Sequence, residues 1–220
     1  TYDYTDADGK LLFQKLRYDP KSFRQRRPDG NGGWIWNLQG VNPVLFHLPK
    51  LKGRSAVIVV EGEKDVLTLE RKGFTATCNP EGANKWDVSY SDALKGLDAC
   101  IIADKDAPGR KHAAAVAKSL QGKARSVRVI ELPDIDVHKV KDASDYFAAG
   151  AEPGQFSEIL DATPPWTPPT DDAPEPEDIG RRPLTLRSPD EILSMRFADD
   201  DTILGDRLLA KGQPLVIAGA

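Results

Sequence analysis

The chain has 220 residues, 40% apolar and 29% charged, which is the balance of an ordinary soluble protein and enough for one full domain plus part of another. Its longest apolar runs, residues 56–60 and 214–220, fall far short of the ~20 residues of a membrane helix, which excludes a spanning helix, and its two cysteines form no C-x-x-C pair, which argues against a disulfide scaffold or a zinc ribbon within this chain. The net charge of −4 is unevenly spread: residues 1–54 carry ten Lys or Arg against five Asp or Glu, whereas residues 161–201 are acidic.

Residues 1–54 form the first unit, a small β-rich piece that is basic and aromatic. Tyr2 and Tyr4, a turn at Asp8 and Gly9, and the returning residues 11–18 read as a hairpin. Arg24, Arg26 and Arg27 follow beside Phe23, Trp34 and Trp36. Basic groups bind phosphates and aromatic faces stack bases, so this stretch is a candidate surface for a single-stranded DNA template. Trp34 and Trp36, two apart, equally fit core positions on one strand face.

Residues 55–160 alternate strand and helix signals, which predicts an α/β domain with a mostly parallel sheet and flanking helices. The strands are expected over 56–60 (AVIVV), 74–78, 99–103 (ACIIA) and 126–132, and the helices over 64–72, 89–95 and 108–121. The last helix has Pro108 near its start, an apolar stripe of Ala113, Val116, Ala117 and Leu120, and Gly122 after its end. Cys78 and Cys100 fall in the strands, which fits a reducing, cytoplasmic compartment.

Loops at the carboxyl ends of such strands carry the chemistry, and here they are acidic. Glu61 follows the first strand, Asp104 and Asp106 the third, and Asp142 and Asp145 the fourth. A D-x-D pair in extended backbone points both carboxylates one way, with Lys105 turned away. Oxygen-only donors suit Mg²⁺ or Mn²⁺ rather than zinc, whereas a lone D-x-D would more often cap a helix or face solvent.

Residues 161–201 contain eight prolines among acidic groups and read as a linker. Residues 202–220 end in an apolar stretch, PLVIAGA, that is strand-like. The chain opens at Thr1 and its one methionine is Met195, so it is read as a fragment of a longer protein.

The stretches VIVVEGEKDV, IIADKDAPGRK and KDASDYF, within residues 55–150, resemble the Toprim domain of primases, topoisomerases and related nucleases, and in particular that of DnaG-like and phage primase-helicase proteins. Glu61, Gly62 and Asp65 look like the E-G-x-x-D element, Asp104, Asp106 and Gly109 like D-x-D-x-x-G, and Asp142 like the acidic residue of K-D-x-x-D; the loop PEGANKW looks like the glycine-rich loop of phage primase-helicases. The resemblance implies a Toprim, Rossmann-like fold, Glu61 as general base, general acid or further ligand, and Asp104, Asp106 and Asp142 as ligands of Mg²⁺ or Mn²⁺. Lys64, Lys85, Arg110 and Lys111 are candidate phosphate contacts, or alternatively a solvated basic edge. Residues 1–54 resemble the segment that joins the zinc ribbon to Toprim in such proteins, without the zinc cysteines, and residues 204–220 resemble the start of a RecA-like helicase core, cut before any phosphate-binding loop.

The leading expectation is therefore primer synthesis: nucleotidyl transfer from nucleoside triphosphates on a single-stranded DNA template, with a RecA-like helicase domain in cis and no membrane. A metal-dependent nuclease would use the same carboxylates. A non-catalytic DNA-binding or helicase-recruiting module is the third reading.

Overall fold

The computed structural model describes residues 1–83 and 85–168. The chain divides into two units, Thr1–Pro169 and Thr170–Ala220. The expected linker beyond residue 168 and the expected helicase-like start at 202–220 lie outside the described residues.

An antiparallel sheet comes first, built from β1 (Tyr2–Thr5), β2 (Leu11–Tyr18), β3 (Ser22–Pro28) and β4 (Trp34–Ile35) in the order β1-β2-β3-β4. The expected hairpin is present: Tyr4 pairs with Phe13 across β1 and β2, and the two rings stack at 4.4 Å, fully buried. The alternation of β2 sends Phe13 and Lys15 inward together.

The second sheet is parallel, with β5 (Ala56–Val59), β6 (Ala76–Thr77), β7 (Asp98–Ile102) and β8 (Ser126–Ile130) in the order β6-β5-β7-β8. Helices α1 (Glu63–Arg71), α2 (Val88–Ala93) and α3 (Ala107–Leu120) make the crossovers, and α4 (Ala143–Ala148) and α5 (Pro153–Ala162) follow the last strand. All four expected strands and three expected helices are found: β5, β6, β8 and α2 are shorter than expected, and β7, α1 and α3 keep their length but begin one residue earlier.

Because strand side chains alternate, the sheet serves two cores. Ile58, Val60, Cys100 and Ile102 face a cluster completed by Val66 and Leu69 of α1, Tyr146 and Phe147 of α4, Phe156 of α5, and Tyr4 and Phe13 of the antiparallel sheet. Val57, Val59, Ala99 and Ile101 face the opposite cluster with Tyr90 of α2 and Val116, Ala117 and Leu120 of α3. Cys78 and Cys100 are free and buried. After α5 the backbone N–H of Trp166 donates to the carbonyl of Val127 at 2.8 Å, so the first described residues of the expected linker run along β8.

The order β6-β5-β7-β8 makes the chain leave β5 and β7 toward different faces, α1 to one and α3 to the other. The crevice between the carboxyl ends of β5 and β7 is thus the topological switch point, where open α/β sheets bind ligands. No helix among the described residues is long and apolar enough to cross a membrane.

Candidate active site

Glu61 leaves β5 and Asp104 leaves β7, one on each side of that crevice. With Asp142 they line a cleft of about 590 Å³. One wall is acidic and comes from the parallel sheet: Glu61, Glu63, Asp65, Asp104 and Asp142. The facing wall is basic and comes from β2, β3 and the turn between them: Lys15, Arg17, Lys21 and Arg24. Gly82 of the glycine-containing loop, at φ 72°, also lines the cleft.

The carboxylates crowd one another. Burial, followed by repulsion from Glu61, Asp65 and Asp142, pushes the Asp104 carboxyl up to about 7. Glu61 is also raised, first by burial and then by Asp106. Asp106 behaves differently. Its hydrogen bond from Lys141 and the N–H of Gly109 hold it below the usual carboxylate range, and it caps α3 by accepting from Gly109 N–H at 2.8 Å. The D-x-D pair therefore does not continue the strand alternation: β7 ends at Ile102, and the Asp106 N–H folds back onto the carbonyl of Asp104 at 2.7 Å. Lys141 Nζ spans the two carboxylates, 2.8 Å from Asp106 Oδ2 and 3.7 Å from Asp104 Oδ2.

Asp142 caps α4 through the N–H of Asp145 at 2.7 Å and keeps its other oxygen 4.0 Å from Lys64 Nζ. Asp65, buried, accepts from the N–H and Oγ of Ser144 at 2.9 and 2.5 Å, which ties α1 to α4. Asp145 accepts from the N–H of Lys141 at 3.2 Å and so braces the loop behind the site. Lys105, between the two aspartates, pairs instead with Asp134 at 2.7 Å.

The basic candidates separate. Arg24 and Lys64 line the cleft. Arg26 instead lies over the ring of Trp34 at 3.9 Å and bonds Gln14 at 2.8 Å, and the Nε of Arg27 is buried. Arg110 is held by Glu131 in a two-bond fork at 2.6 and 3.0 Å, Lys111 is exposed on the first turn of α3, and Lys85 stands outside the cleft lining. Trp34 and Trp36 are not core residues; Trp36 is 52% exposed.

Glu63 carried no signal in the sequence reading beyond its place in the E-G-E-K run. In the structure it is 4% exposed, accepts from Tyr4 Oη at 2.6 Å and pairs with Lys15 at 2.8 Å. That ion pair joins the antiparallel sheet to the start of α1 at the floor of the cleft. Burial with Glu63 and Cys78 nearby drives the Tyr4 hydroxyl far above its ordinary value, so it stays a donor.

The donor set of Glu61, Asp104, Asp106 and Asp142 is all oxygen and negatively charged, which fits a hard divalent cation. Lys141 already places a positive charge between Asp104 and Asp106. Among the described residues no three carboxylate, imidazole or thiolate groups converge as a complete cage. Mg²⁺ commonly takes only one or two carboxylates and keeps several waters.

No family model matches the chain. It is 31% identical over 175 residues to the Twinkle homolog protein, chloroplastic/mitochondrial, of Arabidopsis thaliana, covering 71% of this chain and 23% of that protein, so the chain spans about a quarter of the curated relative's length. Among solved structures it is similar to the Aquifex aeolicus primase (zinc-binding and RNA polymerase domains), with a TM-score of 0.55 and 20% identity over 74% of this chain and 40% of that one. It is also similar to the structure of bacteriophage T7 primase domains bound to an RNA/DNA hybrid and dTTP with the lagging-strand polymerase, at a TM-score of 0.50 and 24% identity over 75% of this chain and 78% of that one. The mixed α/β architecture, a parallel sheet flanked by helices with an antiparallel sheet before it, is the fold of these primase structures.

Proposed function

We propose that this chain is the Toprim-type catalytic part of a DNA primase, joining nucleoside triphosphates on a single-stranded template. The observation that carries the reading is the two-walled cleft, with carboxylates at the switch point facing Lys15, Arg17, Lys21 and Arg24 across it. A polyanionic template and a triphosphate both need the basic wall, and phosphoryl transfer needs the acidic one. The T7 primase domains bound to an RNA/DNA hybrid and dTTP share this fold and support the reading.

In this reading Asp104, Asp106 and Asp142 would hold Mg²⁺ or Mn²⁺, which when bound neutralises charge on the transferred phosphoryl group and the leaving pyrophosphate. Glu61 accepts the proton of the attacking 3′-hydroxyl. Its carboxyl, raised by burial, is closer to the pH at which a base both stays ionised and binds a proton well. Lys64 and Arg24 orient phosphates from the two sides of the cleft. Proline and charge content suggest that residues 161–201 connect this part to a helicase-like domain beginning near residue 202.

The test is incubation of the chain with single-stranded DNA, labelled ribonucleoside triphosphates and Mg²⁺. Label in oligomers supports primer synthesis, and its loss by orders of magnitude in Glu61→Gln supports the proton-accepting role. Shortened DNA without labelled product would replace the reading with a nuclease; neither product would leave a binding module.

A further inference from the structure

We propose that the Lys141 ammonium is the resident counter-ion of the carboxylate site and that a divalent cation enters by displacing it. The inference rests on the reading of Asp104 and Asp106 as cation ligands. Lys141 Nζ lies 2.8 Å from Asp106 Oδ2 and 3.7 Å from Asp104 Oδ2, bridging the two side chains that would share the ion.

Its backbone is fixed and its side chain is not. The Lys141 N–H donates to Asp145 Oδ2 at 3.2 Å and its carbonyl accepts from the N–H of Lys105 at 3.1 Å, so the residue's Cα is fastened beside the D-x-D loop. The side chain is 55% exposed and has room to swing. A lysine suits this duty: its charge is a point on a flexible four-carbon stem, held by one short contact rather than a rigid two-bond fork. Arg110, only a few residues past Asp106, is by contrast locked to Glu131.

Charge decides the exchange. One ammonium neutralises one of the charges of Glu61, Asp104, Asp106 and Asp142, whereas a divalent ion neutralises two at shorter range. The displaced ammonium remains on the cleft wall, which Lys141 itself lines, and adds its charge to Lys15, Arg17, Lys21 and Arg24. Ion binding and anion binding in the cleft become positively coupled, and the coupling is reciprocal.

Two measurements on the full chain test this. Mn²⁺ binding, followed by the electron paramagnetic resonance signal of the free ion, should be about tenfold tighter in Lys141→Met than in the parent, the scale for removing one charge about 4 Å from a divalent ion in screened water. Lys141→Arg, which keeps the charge, should bind no more tightly than the parent. In the parent protein, acetylation of Lys141 read by mass spectrometry should rise several-fold when Mg²⁺ is added, with Lys118 on α3 unchanged as the reference. Equal or weaker Mn²⁺ binding in Lys141→Met, or Lys141 acetylation indifferent to bound Mg²⁺, overturns the displacement. Absence of Mn²⁺ binding in both proteins overturns the metal-site reading beneath it.

Discussion

A Cβ placed on Gly109 would lie 2.6 Å from the Cβ of Asp104 and 2.6 Å from its carbonyl oxygen, so the first turn of α3 and the first aspartate of the D-x-D pair occupy one packing position. The glycine is also tied to the second aspartate: its N–H donates to Asp106 Oδ1 at 2.8 Å. Helix propensity alone favours alanine over glycine by roughly 1 kcal/mol. Overpacking here sets backbone against side chain and costs roughly 1–3 kcal/mol. Gly109→Ala is expected to lower the thermal midpoint and to weaken Mn²⁺ binding, because Asp104 must move. Calorimetry with an unchanged midpoint and unchanged affinity would show that the turn relaxes without cost.

The Lys15 and Glu63 pair gives a second expectation. Both side chains are nearly inaccessible, at 11% and 4%, and the pair holds the antiparallel sheet on the start of α1. Removing one partner strands a buried charge, so Lys15→Met should destabilise by about 3–5 kcal/mol, while the double change Lys15→Met with Glu63→Gln, which keeps an acceptor for Tyr4 Oη, should recover most of it. Denaturant unfolding of the parent, both single variants and the double variant measures the coupling. If the double variant loses the sum of the two single losses, the pair contributes nothing as a pair.

Much of this was readable from the residues alone, and the reasons are local. The β-branched run at 56–59, the alanine-rich stripe of α3 and the glycines after α1 and α3 each specify an element through short-range chemistry. The acidic strand ends were readable because Glu61, Asp104 and Asp142 each follow a strand signal along the chain, whereas the adjacency of β5 and β7 comes from the sheet order. What could not be read depends on tertiary approach: Glu63 and Lys15 are 48 positions apart in sequence and acquire meaning only when two sheets meet. The same is true of Arg110, whose partner Glu131 lies beyond β8. Asp106 keeps extended backbone, yet β7 stops two residues before Asp104 and Asp106 also caps α3, a second duty that the alternation argument did not contain.

Asp104 sets a pH dependence. Its carboxyl is raised to about 7 in the folded protein, above its ordinary 3.8, chiefly by burial and then by neighbouring carboxylates. A carboxyl raised on folding is ionised more readily in the unfolded chain, so its burden is absent below about pH 4, grows between pH 4 and 7, and is full above 7. In chelator, Asp104→Asn should raise the thermal midpoint at pH 8 by a few degrees, on a scale of ~2–4 °C per kcal/mol for a domain of this size, and change it little near pH 4. A midpoint shift of equal size at both pH values would mean that charge is not the cause.

In the proposed reading the arginines of β3 divide the work of holding a template, and the salt dependence of binding can tell them apart. Arg24 is exposed and lines the cleft, so its charge is available to a phosphate. Arg26 is half-buried, over Trp34 at 3.9 Å and within 5.5 Å of Trp36, so its charge is partly spent in holding the two indoles. Arg24→Ala should weaken binding of single-stranded DNA and reduce the slope of log affinity against log salt by about one, the signature of one lost phosphate contact. Arg26→Ala should weaken binding with a smaller change of slope, because stacking on the released indoles is lost more than charge. Arg27→Ala, whose Nε is buried, should alter the slope least. Fluorescence titrations across a range of salt concentrations, using the tryptophans as the reporter, give all three slopes. A slope left unchanged by Arg24→Ala would show that Arg24 makes no phosphate contact and leave Arg17 and Lys21 as the exposed cations of that wall to be tested in the same way.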